Sequence, residues 1–109
     1  MIHVREYLDE DGSSPFAHGF SGLDAVAAAK ITVVLTRIGQ GNLSNVKGAG
    51  DGVLEYRLDF GPGDRVYFGR DGDVLVILLA GGTKRRQQRD IESAQARWAI
   101  YKRRKRLAR

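Results

Sequence analysis

Six side chains stand out as able to act on a phosphate: Arg57, Arg65, Tyr67, Lys84, Arg85 and Arg86. Arg57 and Arg65 occupy alternating positions in two short strand-like runs, and the Lys-Arg-Arg triplet follows a third run where a helix is expected to start. Cations on the solvent face of a half-buried sheet fix phosphates and stabilise the charge that develops on a phosphoryl group in transfer. Arg57 has a plainer reading, an ion pair with Glu55 or Asp59. Lys84 can equally be a surface lysine at a helix start, and Tyr67 a sheet-packing aromatic.

The rest of the positive charge lies at the C-terminal end. Residues 84–109 hold 11 Lys/Arg against Asp90 and Glu92, a net +9, while residues 1–83 hold 7 basic side chains against 11 acidic ones, a net −4. An acidic body with a basic helix or tail, from about 85 to 109, suits a surface that meets nucleic-acid phosphates or an acidic partner. Arg89 and the unbroken run Lys102, Arg103, Arg104, Lys105 and Arg106 are the candidate RNA-binding residues, together with Tyr67, Arg85 and Arg86. Five consecutive cations repel one another unless a partner neutralises them.

Other chemistries lack their residues. The chain has no cysteine, which removes disulfides, thiolate metal sites and a catalytic thiol. Its two histidines, His3 and His18, are too few for a multi-histidine metal cluster, and a Ser-His-acid triad would have to use one of them without any Gly-x-Ser-x-Gly. Asp9, Glu10 and Asp11 lack the ligand spacing of a calcium loop. Gly48-Ala49-Gly50-Asp51-Gly52 matches neither a dinucleotide fingerprint nor a P-loop. We expect no metal and no cofactor. No apolar run reaches the roughly 20 residues of a membrane span, and residues 1–6 carry no segment of signal-peptide length. A cytosolic domain without a membrane association is expected.

At 109 residues and 42% apolar content the chain is sized for one domain, 1–109, with one core. Residues 2–8 alternate weakly and predict an edge strand. A turn-rich loop follows, then one helical turn at 16–20. Ser21 and Asp24 predict a capped helix start, and Ala27, Ile31, Val34, Leu35 and Ile38 follow at helical spacing until Gly39-Gln40-Gly41. Residues 42–52 read as a loop with at most a short edge strand. In 53–60, Leu54, Tyr56, Leu58 and Phe60 take one face and Val53, Glu55, Arg57 and Asp59 the other. Gly61-Pro62-Gly63-Asp64 predicts a turn, and 65–69 a second alternating strand. Asp71-Gly72 predicts a tight hairpin with positive φ at both central positions. Residues 74–79, apolar throughout, predict a strand covered on both faces. A helix from about 85 to 104 has Ile91, Ala94, Trp98 and Tyr101 as its inner stripe, with Trp98 a core anchor or a base-stacking residue. The fold class expected is α+β: a small antiparallel sheet of about four strands, flanked by N-terminal helices and a C-terminal helix.

The blocks Gly-Val-Leu-Glu-Tyr-Arg (52–57), Gly-Pro-Gly-Asp-Arg-Val-Tyr-Phe (61–68), Leu-Leu-Ala-Gly-Gly-Thr-Lys (78–84), and Gln88 with Asp90-Ile91 and Ala94 resemble the RelE/ParE superfamily of toxins. The nearest branch is the HigB-like, phage-derived addiction-module killer proteins, and the likeness runs from about residue 7 to residue 102. It implies a RelE-like sheet and a toxin neutralised by a cognate antitoxin, in this branch usually a helix-turn-helix protein. RelE-like and HigB-like members cut mRNA in the ribosomal A site, and ParE-like members poison DNA gyrase. The basic tail with Arg57, Arg65 and Lys84 favours the ribosome-dependent mRNA interferase, a metal-independent endoribonuclease; a gyrase poison and a non-catalytic nucleic-acid-binding module stay open. On this resemblance Arg57 stabilises the phosphorane, Arg65 is a second phosphate contact, and Lys84 neutralises the leaving oxygen or deprotonates the 2′-hydroxyl. Tyr67 would stack on a base. Two departures stand out: Asp64 replaces an aromatic usual in the family, and HigB proteins use histidines and a C-terminal acid–tyrosine set, whereas both histidines here are N-terminal.

Overall fold

The structure, a computed structural model, describes residues 1–58 and 63–108. Nine elements follow one another: β1 (His3–Glu6), α1 (Pro15–Gly19), α2 (Ala25–Gly39), β2 (Val46–Gly50), β3 (Val53–Arg57), β4 (Arg65–Asp71), β5 (Leu75–Gly82), a 3-10 turn (Lys84–Arg86) and α3 (Gln87–Leu107). The strands form one sheet in the order β1-β5-β4-β3-β2. Two features differ from expectation. The sheet has five strands, because residues 46–50 pair with β3 around a bulge at Ala49, and it is mixed, because β1 runs parallel to β5.

The fifth strand, allowed in the sequence only as a short edge strand within 42–52, is hidden by its composition. Gly48 and Gly50 supply no side chain to alternate, yet their backbones can join a ladder. The turn that closes it is Asp51-Gly52, with φ of 54° and 85°, the positive values that a two-residue hairpin requires. Asp71-Gly72 does less than expected: Asp71 pairs with Leu75, so the connection has three residues, and of its two positions only Gly72 has a positive φ. β1 is parallel because the chain reaches its partner through the whole intervening fold.

Helix α2 starts later than its expected cap. Asp24 Oδ1 accepts from the Ala27 amide at 2.8 Å, making Asp24 the N-cap, while Ser21 Oγ donates to the His18 carbonyl and closes α1. Its apolar stripe packs as the spacing predicts, with Ile31, Val34 and Ile38 buried. They meet Tyr56, Leu58, Val66, Phe68, Val76 and Leu78 on one sheet face. The opposite face carries Val53, Tyr67, Ile77 and Leu79 beneath Ala94 and Trp98 of α3. A bulge in β5 sets this geometry: Tyr67 pairs with Ala80 and Phe68 with Leu78, leaving Leu79 over.

Trp98 is the anchor of that face. A Cβ placed on Gly69 would lie 2.6 Å from Trp98 Cε3, so the indole rests directly on β4 backbone. Among the described residues, no helix is long and apolar enough to cross a membrane. The place expected for Phe60, the Asp59 alternative for Arg57, and Gly61-Pro62 of the expected turn lie outside the described residues.

Candidate nucleic-acid interface

The candidate residues gather where β3, β4 and β5 end. Arg57 is opposite Arg65 in the β3–β4 register, and Arg65 is opposite Gly82, the last residue of β5. The chain then turns through Thr83 into the 3-10 segment, which brings Lys84 back over the β4 entry. A Cβ on Gly63 would approach Lys84 Cβ to 3.2 Å and Arg65 Nη1 to the same distance. Arg65 and Lys84 thus meet beside Gly63, while Arg57 lies at the same end of the sheet, one strand over and at a different depth.

Arg57 is exposed. It lines a groove of about 250 Å³ with Arg37, Tyr56 and Leu58, and a second of about 270 Å³ with Asn45 and Lys47. Glu55, one of its expected partners, shares its sheet face but engages Arg65, Lys47 and Gln87. Glu55 is 1% exposed and belongs to a buried network beneath α3. Its Oε1 accepts from Gln87 Nε2 at 3.0 Å and lies 3.6 Å from Arg65 Nε, and its Oε2 lies 3.4 Å from Lys47 Nζ.

Arg65 is 3% exposed, and its Nη1 donates to the Gly63 carbonyl. As placed, it is not a surface phosphate contact. Strand alternation explains this: positions 65 and 67 point toward α3, and the start of α3 roofs them over. Tyr67 is likewise fully buried, which gives it the packing role and leaves no face for a base. Burial, and secondarily the Glu55 charge, raise its phenol pKa well above the ordinary value, so the hydroxyl is neutral. That hydroxyl has no hydrogen-bond partner among the described residues. Asp64, beside them, also has its pKa raised by burial.

Lys84, Arg85, Arg86 and Arg89 are exposed at the entry to α3. Arg86 Nη2 is 3.9 Å from Asp90 Oδ1, a pair separated by one helical turn. The tail cations divide. Arg104 donates to the Leu8 carbonyl at 2.9 Å and stacks over Tyr7, and Lys105 pairs with Asp71. Both therefore fasten the helix to the body. Lys102 lies 5.8 Å above the Trp98 ring, while Arg103 and Arg106 are exposed. Trp98 itself is 6% exposed and stacks on Tyr101 with centroids 5.2 Å apart. Tyr101 donates to Asp71 Oδ2 at 2.5 Å; burial first, then that bond and the Asp71 charge, push its pKa up to about 12.

Sequence reasoning passed over Arg97 and His18. Arg97 is half-buried with Nη1 donating to the Leu79 carbonyl at 3.2 Å, and both residues line a cleft between α1 and α3. The signal available was spacing, since positions 86, 89, 93 and 97 recur on one helical face.

No protein-family model matches the chain. It is 45% identical over 69 residues to an uncharacterized protein of Haemophilus influenzae, an alignment covering 63% of this chain and 70% of that protein. The two belong to one family. The alignment spans most of the relative, so the relative shares much of this fold's sequence, and the functional reading rests on the site.

Proposed function

We propose that this chain is the toxin of a type II toxin–antitoxin pair, a HigB-like member of the RelE/ParE superfamily that cuts mRNA on the ribosome. The observation that carries the reading is the exposed cationic sheet end, where Arg57 and the Lys84–Arg86 turn surround strand termini backed by a buried Glu55–Arg65 network. The sequence blocks that resemble the superfamily supply the strands and turn that build it. A cytoplasmic site of action follows from the ribosomal substrate, and the natural antagonist is a cognate helix-turn-helix antitoxin.

In this reading the ribose 2′-hydroxyl gives its proton to solvent as its oxygen attacks the adjacent phosphorus. The P–O5′ bond breaks and the 5′-oxygen takes up a proton, leaving a cyclic phosphate on the upstream fragment and a 5′-hydroxyl on the other. Arg57 stabilises the negative charge of the phosphorane. Lys84 compensates the charge on the departing 5′-oxygen. Arg65 acts indirectly, as a buried positive charge that fixes Glu55 and through it Gln87 at the helix entry. The tail cations Lys102, Arg103 and Arg106 hold the surrounding RNA by its phosphates.

Primer extension on mRNA, with purified ribosomes and with or without the protein, tests this. Discrete ribosome-dependent cuts are expected, lost in Arg57→Ala and in Lys84→Ala while both variants remain folded. An uncut message in the presence of folded protein refutes the interferase, and full cleavage by both variants refutes the assigned site.

A further inference from the structure

The first half of α3 faces a second feature on the far side of the 3-10 turn. Between α1 and α3 lies a cleft of about 370 Å³, floored by Ala80 and Gly81 of β5. Arg86, Arg89 and Arg97 line one wall and His18 of α1 lines it as well. Arg89 and Arg97 lie on neighbouring stripes of α3, about 80° apart at 3.6 residues per turn, and Arg86 is the N-cap residue just before that helix.

The three guanidiniums are held differently. Arg97 is fixed by the Leu79 carbonyl, Arg86 is kept near Asp90, and the exposed Arg89 makes no hydrogen bond among the described residues. Two carboxylates, Asp9 and Asp90, also line the cleft. Asp90 is buried with its Oδ2 lacking a hydrogen-bond partner, and that burial raises its pKa against the pull of the arginines. Three permanent cations therefore outweigh two carboxylates, one of which resists ionisation.

We propose that this cleft binds a phosphate of an RNA strand, gripped by Arg86, Arg89 and Arg97 and hydrogen-bonded by His18. Guanidinium forks match phosphate oxygens in bidentate geometry, and imidazole offers a ring N–H to the same group. The proposal rests on the RNA reading above and extends it. Lys84 and Arg86 belong to one 3-10 turn with a rise of about 2 Å per residue, so a strand crossing this turn passes from the Arg57–Lys84 edge directly to the cleft.

The two histidines provide an internal comparison, since His3 lies on β1 and does not line the cleft. The imidazole resonances of both are followed by NMR at fixed pH and low salt, with a short single-stranded RNA and separately with inorganic phosphate. A saturable movement of His18 with His3 unmoved is expected for both, tighter for the RNA. Arg89→Ala, an exposed change, should weaken RNA affinity about tenfold, as loss of a charged hydrogen bond predicts, and Arg5→Ala by no more than about twofold for one distant charge.

A silent His18, or equal movement of His3 and His18, overturns the proposal. So does a polyglutamate peptide that displaces RNA at matched charge, which would assign the cleft to an acidic protein partner. Binding is read without ribosomes, so the two readings fail separately. Uncut mRNA with an intact His18 response fells the interferase alone, whereas cut mRNA with a silent His18 fells the cleft alone.

Discussion

Arg65→Ala separates a buried structural charge from a catalytic one. The side chain is 3% exposed and the carboxylate it faces, Glu55, 1% exposed. Removing the guanidinium leaves Glu55 with Gln87 at 3.0 Å and Lys47 at 3.4 Å, the latter on a side chain that is 64% exposed. Truncating one partner of a buried ion pair costs about 3–5 kcal/mol, because the remaining charge stays buried without compensation. Lys47 and Gln87 soften this, so the expected loss lies near the lower end, about 3 kcal/mol. That is roughly two decades in the folding equilibrium and about 12 °C in Tm for a domain of this size.

Urea unfolding followed by Trp98 fluorescence measures it cleanly, since the chain has a single tryptophan and it sits on the same sheet face. The double variant Glu55→Leu/Arg65→Met removes both charges and should recover most of the loss, because replacing a whole buried pair with apolar groups is often neutral. Arg57→Ala, one cross-strand position away but exposed, should fall within about 0.5 kcal/mol of the parent. A stable, folded Arg65→Ala protein without activity would refute the argument, placing Arg65 in contact with substrate. A double variant no more stable than the single one would refute the pairing.

Three further outcomes are expected. Gly69→Ala should destabilise by about 1–3 kcal/mol through overpacking, since its Cβ would sit 2.6 Å from the Trp98 ring; near-UV circular dichroism and Tm report it, and an unchanged Tm would contradict the close approach. Asp90→Asn should be more stable than the parent at neutral pH. Burial raises the folded-state pKa of Asp90, so its ionisation opposes folding as pH rises through that value, and the gap should close as pH falls toward 3.8; urea unfolding at several pH values that showed a constant gap would contradict this. Replacing Lys102, Arg103 and Arg106 together by alanine should lower the salt slope of single-stranded RNA binding by about 0.7 for each phosphate no longer neutralised, about 2 in all. The same change at Arg104 and Lys105 should instead lower stability, because both are tied to the body of the fold.

The fold was legible wherever side chains alternate or recur. The stripe of α2, the two faces of β3 and β4, and the Ile91–Ala94–Trp98–Tyr101 face of α3 all follow from periodicity, because burial on one side is what these patterns encode. β2 registered only as a possible short edge strand for the same reason in reverse, having two glycines among five residues and little to alternate. Two of the chain's three Asp-Gly pairs show the limit of turn signals. Asp51-Gly52 forms the two-residue turn, while Asp71-Gly72 opens a three-residue loop whose Asp71 accepts from Tyr101 and Lys105. Long-range partners decided between them, and no local pattern contains those.

Depth was the illegible part of the site. Arg57, Arg65 and Tyr67 share one sheet face by alternation, and that much the sequence carries. Which of them reaches solvent depends on where α3 begins. The Gln87 amide reaches down to Glu55, so the first turn of α3 closes over positions 55, 65 and 67 and stops short of Arg57 at the end of β3. The 3-10 turn is the hinge of this division. It presents Lys84 toward the strand ends and Arg86 toward the α1 cleft, so one short segment serves both candidate phosphate positions. Lengthening that turn by a single glycine would rotate α3 by about 100° relative to the sheet at 3.6 residues per turn. The register of Gln87, Arg89 and Arg97 would change together. Binding at the cleft and burial of Glu55 are thereby coupled through one helix start, and an insertion that disturbed one without the other would show that they are independent.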